Sequence, residues 1–352
     1  MSVQAEGVAA LADEPDRFGG FSAPREVERP IGHDAALAEL EDAFRSGRLH
    51  HAWLIAGPEG IGKATLAYHF ARCVLAARHA GGELPRVDPG DSVFRKVAGL
   101  AHPNLLVIRR AWNERTKRFG QWIGVDEVRR LRAFLGNTAG EAGFRVVIVD
   151  RADELNQNAA NALLKVLEEP PPETVYFLIS ATEGKIPVTI RSRCRTLRVA
   201  PLAPDDLDKA VRGALRRDEH EVEEDALSVA LVLSDGSVRR ALELATGEGI
   251  NQYREALALV GSLPELDGAR VQKLAEKLAA QGEAERLELF YSLLLGLLER
   301  LIRFAATGQS ATEEEASLGR KLLSHADLGA WAEAWAGIAQ AKDETLGLNL
   351  DR

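Results

Sequence analysis

Over its first two hundred residues the chain alternates short apolar runs with segments of helical period. Ala52–Gly57 (AWLIAG), Asn104–Ile108 (NLLVI), Phe144–Asp150 (FRVVIVD), Val175–Ala181 (VYFLISA) and Thr196–Ala200 (TLRVA) are the runs. Continuous apolar runs without period-two alternation predict strands buried on both faces of a parallel sheet. Between them, His33–Gly47 has apolar residues at helical spacing and ends in Gly47, a C-cap residue. Lys63–Arg78 predicts a second helix. Val125–Gly136 predicts a third, with Leu131, Phe134 and Leu135 on one face. Asn158–Glu169 predicts a fourth, stopped by Pro170, Pro171 and Pro172. The stretch His79–His102 is punctuated by Pro and Gly and reads as loop.

After Pro201 only helical periodicity remains. Strands alternating with helices predict an α/β domain over 1–200. A small helical domain follows over 201–249, and a second helical domain over 250–352. Residues 1–25, rich in Gly, Pro and charge, are expected to form a mobile arm leading into a docking segment. The most apolar stretch, Phe290–Ala306, carries Glu299, Arg300 and Arg303. It is too short and too charged to span a membrane and predicts a buried amphipathic helix.

Composition narrows the partners. The net charge of −9 over 352 residues argues against a chain that is basic as a whole, so any nucleic-acid contact must be a local patch. Two cysteines fit a reducing, cytoplasmic setting and cannot build a four-cysteine zinc site. The N-terminus has no apolar core of the secretory type.

The chemistry concentrates at Gly57–Ala64 (GPEGIGKA), which fits G-x-x-x-x-G-K-[ST] except at its last position. Gly57, Gly60 and Gly62 let backbone N–H groups turn inward, and with the next helix's N-terminus they form a phosphate cradle. Lys63 would reach the outer phosphates. Ala64 stands where a hydroxyl should hold Mg²⁺. Thr65 is next, but one residue along a helix rotates the side chain by about 100°. The run Val146–Glu154 (VVIVDRADE) ends its apolar part in Asp150, the expected magnesium-organising carboxylate. Arg151 follows where many such ATPases place the glutamate that polarises water, and arginine stays protonated. Glu154 is expected to support the following helix rather than replace that base. Both hydrolytic positions depart from a working site, so hydrolysis is expected to be slow or absent.

Other features are weaker. Arg109–Trp122 mixes basic residues with two tryptophans and predicts a solvated hairpin in preference to a base-stacking surface. His50 and His51 lack nearby ligand partners and are expected to pack before the strand. Trp331 and Trp335, spaced i, i+4, fit core or subunit interface. The stretch Thr312–Ala341 reads as helices of a packed domain, and the last helix is expected to be missing or short.

Three stretches carry a resemblance: Ile31–Ala67, Asn158–Cys194 with its E-E-P-P run and S-R-C ending, and Asp235–Leu244. Together they resemble bacterial clamp-loader AAA+ subunits, from about His33 to Leu244. The resemblance implies a P-loop AAA+ domain, a helical lid and an all-helical collar that holds subunits in a ring. Motor subunits of that family keep the hydroxyl and the glutamate. The pattern here is similar to a branch with a degraded nucleotide site that retains S-R-C. Arg193, in Ser192–Arg193–Cys194, is then implied as an arginine finger reaching a neighbour's γ-phosphate in trans; alone it would read as a helix-end arginine. Cys194 reads as a small buried residue. Arg239 matches the lid arginine that contacts nucleotide, or is structural. Ser180 or Thr182 occupies the phosphate-sensing region. No cofactor is expected to be required; idle ATP or ADP is compatible with the cradle. Many relatives carry a four-cysteine zinc module that this chain lacks, so zinc is not expected. The implied partners are the gamma and tau motor subunits, the delta subunit and, through the complex, a sliding clamp and primed DNA. No membrane contact is implied. Two rival readings are an active motor subunit of the same family and an unrelated P-loop phosphotransferase.

Overall fold

The computed structural model describes residues 17–77, 79–113, 115–116, 118–136, 143–278, 284–310, 312–323 and 327–349. The start of the expected arm, residues 1–16, lies outside them. The chain divides into two compact units, one of residues up to Glu219 with Gly236–Arg239, the other of His220–Asp235 with Arg240–Arg352.

The first unit is built on five parallel strands: β1 (Ala52–Ala56), β2 (Leu105–Ile108), β5 (Arg145–Val149), β6 (Thr174–Ser180) and β7 (Arg195–Arg198), in the order β2-β5-β6-β1-β7. Every residue of β1 and β6 is buried, as their unbroken apolar runs predict. Helices α1 (Asp34–Arg45), α2 (Lys63–Ala76), α4 (Val125–Gly136) and α5 (Gln157–Glu168) match the sequence periodicity. Gly47 sits at φ +69 after α1, the left-handed cap its position predicts. The Asn156 side chain accepts from the Ala159 N–H at 2.9 Å and starts α5. β6 lies between β1 and β5, with Ala56 opposite Ser180 and Val149 opposite Leu178. The carboxyl ends of these central strands therefore come out side by side, the edge where α/β sheets present ligand sites.

Two expectations are corrected here. The Pro- and Gly-rich stretch 79–102 contains a helix, α3 (Ser92–Ala98), which buries Phe94 and Val97. The chain is also packed before residue 26: Phe21, Ala23 and Arg25 are buried. Arg72 of α2, itself fully buried, donates to the carbonyls of Arg25, Val27 and Glu28 at 2.7–2.9 Å. Its guanidinium lies 4.4 Å over the Phe94 ring. One buried cation thus ties the entering segment and α3 to α2.

Between β2 and α4 a two-stranded hairpin pairs β3 (Trp112–Asn113) with β4 (Arg118–Phe119). The short α6 (Val188–Arg191) precedes β7, and α7 (Pro204–Arg217) follows it.

The second unit is helical: α8 (Glu224–Leu233), most of α9 (Val238–Thr246), α10 (Gly249–Gly261), α11 (Gly268–Leu278), α12 (Ala284–Thr307), α13 (Glu313–Leu323) and α14 (Leu328–Asn349). Leu293, Leu297 and Leu301 of α12 are buried in its core, as the amphipathic reading of that stretch requires. Trp331 packs on this core, while Trp335 is partly exposed and donates its indole N–H to the Leu295 carbonyl at 3.1 Å. The last helix is not short but 22 residues long. Among the described residues no helix is long and apolar enough to cross a membrane.

Candidate phosphate loop and candidate trans-acting arginine

The phosphate loop leaves β1 at Gly57, whose N–H donates to the Ser180 carbonyl at 3.3 Å. A Cβ there would sit 2.2 Å from the Val199 carbonyl oxygen, so only glycine fits. Gly60 and Gly62 adopt φ +77 and +98, and α2 begins at Lys63. The backbone is that of a phosphate cradle.

The side chains around it are committed elsewhere. Lys63 is buried and donates its ammonium to the Pro58 carbonyl of its own loop. Burial lowers its pKa to about 8, against the opposing pull of Glu59, Asp153 and Asp150. Ala64 and Thr65 are half-buried, and only Thr65 carries a hydroxyl, one position too late for the motif. Asp150 follows β5 and donates its N–H to the Ile108 carbonyl at 2.9 Å. Arg151 takes a left-handed conformation, φ 60 and ψ 57, that non-glycine residues rarely adopt. From there its guanidinium pairs with Glu59 at 3.0 Å and with Glu154 at 2.6 Å. Glu154 also meets Arg110 at 3.1 Å, and burial raises its pKa. Its backbone carbonyl accepts from the Ile123 N–H at 2.8 Å, so Glu154 ties this turn to the segment before α4.

Arg239 lies at the same loop. Its N–H donates to the Gly60 carbonyl at 3.2 Å, and its guanidinium is 3.7 Å from Glu59. The Ser237 hydroxyl donates to the Glu59 carbonyl at 3.0 Å. A Cβ on Gly60 would meet Ser237 Oγ at 2.3 Å. The segment Gly236–Arg239 therefore lies directly on the loop. Magnesium nucleotide does not fit this arrangement: the hydroxyl is missing, Lys63 is turned to its own loop, and the Glu59 carboxylate stands among the cations. Among the described residues no group of three His, Cys, Asp or Glu side chains is placed to hold a metal.

Arg193 lies apart from the loop, just beyond α6. Its guanidinium donates to the Thr189 carbonyl at 2.9 Å and to Glu168 at 2.8 Å, and 36% of the side chain is exposed. Glu168 is the last residue of α5 and the first step of the E-E-P-P run. Nearby Val188 is 67% exposed, an apolar side chain facing outward beside the arginine. Cys194 packs against the core, and burial pushes its thiol up to about 12, which leaves it unreactive at neutral pH.

The remaining sequence candidates take structural places. The buried Ser180 ends β6, and its hydroxyl accepts from the Thr182 N–H at 3.2 Å. Trp112 packs edge-on against Phe119 at 4.8 Å, and Arg110 lies over the same ring at 6.0 Å. His50 and His51 stack at 4.4 Å beside the start of β1. Sequence reading passed over Glu59, Ser237 and Glu168. Glu59 falls at an unconstrained position of the loop motif, so its residue type alone gave no signal.

The family model described as DNA polymerase III, delta subunit, matches residues 32–203. The delta-prime subunit of DNA polymerase III from Escherichia coli is 35% identical over 264 residues, covering 74% of each chain. The Pseudomonas aeruginosa delta-prime subunit is 38% identical over 210 residues, covering 58% of each. A gamma subunit-related protein from Thermotoga maritima superposes with a TM-score of 0.38 at 17% identity, covering 88% of this chain and 99% of that one. The chain spans 58% and 46% of the length of the gamma and tau subunits it matches in Buchnera aphidicola and Bacillus subtilis. With a third of its residues shared along three quarters of a delta-prime subunit, the chain belongs to the delta-prime family of DNA polymerase III clamp-loader subunits.

Proposed function

We propose that this chain is the non-hydrolysing, finger-bearing subunit of a cytoplasmic clamp loader. It would assemble with gamma or tau motor subunits and delta, and as part of the polymerase holoenzyme help place a sliding clamp on primed DNA. Residues 201–249 would act as the lid and 250–352 as the collar of the ring.

The observation that carries this reading is Arg193. Its guanidinium is partly exposed at the end of a short helix, beside an exposed valine, and is aimed by a carbonyl and one carboxylate. A guanidinium offers a planar fork of donors that matches phosphate oxygens, and its charge does not titrate. Set against a neighbour's ATP, it would stabilise charge developing on the transferred phosphoryl group. Reaching that phosphate requires Arg193 to exchange Glu168 for it. The exchange costs little, since half-exposed ion pairs contribute about 0–1 kcal/mol. The motor reading finds no support in Ala64, Arg151 or the turned Lys63. The chain's own loop needs no nucleotide in this scheme.

The test is reconstitution. Mixed with the motor and delta subunits of its own source, the chain should co-elute in one complex. DNA-stimulated ATP turnover should require its presence. A chain that stays apart, or a complex equally active without it, would contradict the proposal.

A further inference from the structure

We propose that the Glu59 carboxylate is a built-in occupant of the phosphate loop, taking the place of a nucleotide's phosphate and holding the site closed to nucleoside triphosphates. The inference does not depend on the arginine finger, which lies elsewhere on the domain.

The surroundings of the Glu59 carboxylate are cationic, as those of a phosphate would be. Two guanidiniums reach it from distant parts of the chain. Arg151 comes from the end of β5, at 3.0 Å. Arg239 comes from the segment that lies on the loop, at 3.7 Å. Lys63, the loop's own lysine, donates its ammonium to the carbonyl of Pro58, the residue before Glu59, and the nearby Glu59 charge opposes the effect of burial on it. Lys63 and Arg239 hold positions where phosphate would be met and Arg151 the position of the water-polarising glutamate, yet Arg151 and Arg239 converge here on a side chain of the loop itself.

The carboxylate and Arg151 are a mated pair. In a loop free to receive ATP, an uncompensated carboxylate beside the phosphates would repel them. In a working hydrolase, an arginine in place of the water-polarising glutamate would remove the base. Together the two substitutions neutralise each other. Arg151 accepts a left-handed backbone, φ 60, and from it the side chain spans from Glu154 to Glu59. Non-glycine residues hold such conformations at a cost that surrounding contacts must offset, and the two ion pairs are those contacts.

The backbone closes over the same point. Ser237 donates to the carbonyl of Glu59 and the Arg239 N–H donates to the carbonyl of Gly60, the adjacent residue. Gly60 has no room for a side chain between Ser237 Oγ, 2.3 Å from a Cβ, and Arg239 Cβ, 2.7 Å from it. The loop is thus fastened at Glu59 and at the residue after it. The retained glycines and lysine are explained as parts of a closed clasp, which keeps the cradle's shape without a ligand.

The consequence is a gain of binding. Glu59 is half-exposed, with 51% of its side chain accessible, so removing its charge should leave the fold intact. The experiment is a titration of the full chain with a fluorescent methylanthraniloyl derivative of ATP, with Mg²⁺ and with EDTA. Circular dichroism melts run in parallel. Wild type should show no saturable binding below about 1 mM. Glu59→Gln and Glu59→Ala should each bind at least about tenfold more tightly, because the carboxylate that repels a polyphosphate and draws Arg151 and Arg239 is then gone. Adding Lys63→Met to Glu59→Gln should return binding to the wild-type level and so place the ligand in the loop. Micromolar binding by the wild type would overturn the proposal. So would folded Glu59 variants with no gain, or a gain that survives Lys63→Met.

Discussion

Arg193→Ala is expected to lower single-turnover ATP hydrolysis at the adjoining motor site by about 10³-fold or more, the range reported by arginine fingers elsewhere. In the proposed assembly Arg193 would serve one motor site, so total steady-state turnover should fall by less than turnover at that site does. The isolated chain should melt almost as before. The side chain makes one half-exposed ion pair with Glu168 and one bond to the Thr189 carbonyl, and surface pairs of this kind contribute about 0–1 kcal/mol. A loss of turnover without a loss of fold separates a chemical role from a structural one. Arg193→Lys keeps the charge but not the fork of donors, so it should recover only part of the rate. An unchanged single-turnover rate in Arg193→Ala would remove the finger from the account.

The second large effect is expected in the helical unit. Glu315 is 1% exposed, and it accepts from Tyr253 at 2.8 Å and from Arg300 Nε at 3.0 Å. The three residues belong to α13, α10 and α12, so one carboxylate joins three helices. Thr312 sets its position, the hydroxyl accepting from the Glu315 N–H at 3.1 Å at the start of α13. Burial also pushes the Tyr253 hydroxyl's pKa up, so it remains a donor to the carboxylate at any physiological pH. Glu315→Ala strands a guanidinium whose side chain is only 11% exposed. Breaking a buried pair from one side costs about 3–5 kcal/mol. Tyr253→Phe removes one hydrogen bond and should cost about 1–2 kcal/mol. Chemical unfolding followed by circular dichroism reads both. A loss under about 1 kcal/mol for Glu315→Ala would mean that Arg300 finds another partner or reaches water.

Much of the first unit is legible in the sequence because its signals are local. A short apolar run without alternation, bounded by turn residues and set between helical segments, fits a strand buried on both faces, and β1, β5 and β6 follow from that pattern. Gly47 and the three prolines after Glu169 end helices by backbone chemistry that neighbours cannot override. The helix Ser92–Ala98 escaped because two turns give too few periods to stand out among prolines and glycines. The last helix is legible to Ala341 but runs on to Asn349, because its tryptophans and alanines leave no sharp apolar stripe to mark its end.

At the site, the glycines, Lys63, Ala64 and Arg151 are readable by position in a motif. What occupies the loop is not, since Glu59 meets Arg151 and Arg239 across 92 and 180 residues of chain. The same holds for Arg193, whose partner Glu168 lies 25 residues back. Motif spacing shows what a loop is shaped for; only the folded arrangement shows which charges it has already matched.

The central claim is that this subunit acts on a neighbour's ATP and not on its own. Magnesium-dependent ATP hydrolysis by the purified chain alone tests it most directly. The account predicts no turnover above background, because Ala64 supplies no metal ligand, Arg151 supplies no base and Lys63 is turned to its own loop. Turnover of about 1 s⁻¹ or more, the rate of an ordinary enzyme, would contradict it and make the chain a motor.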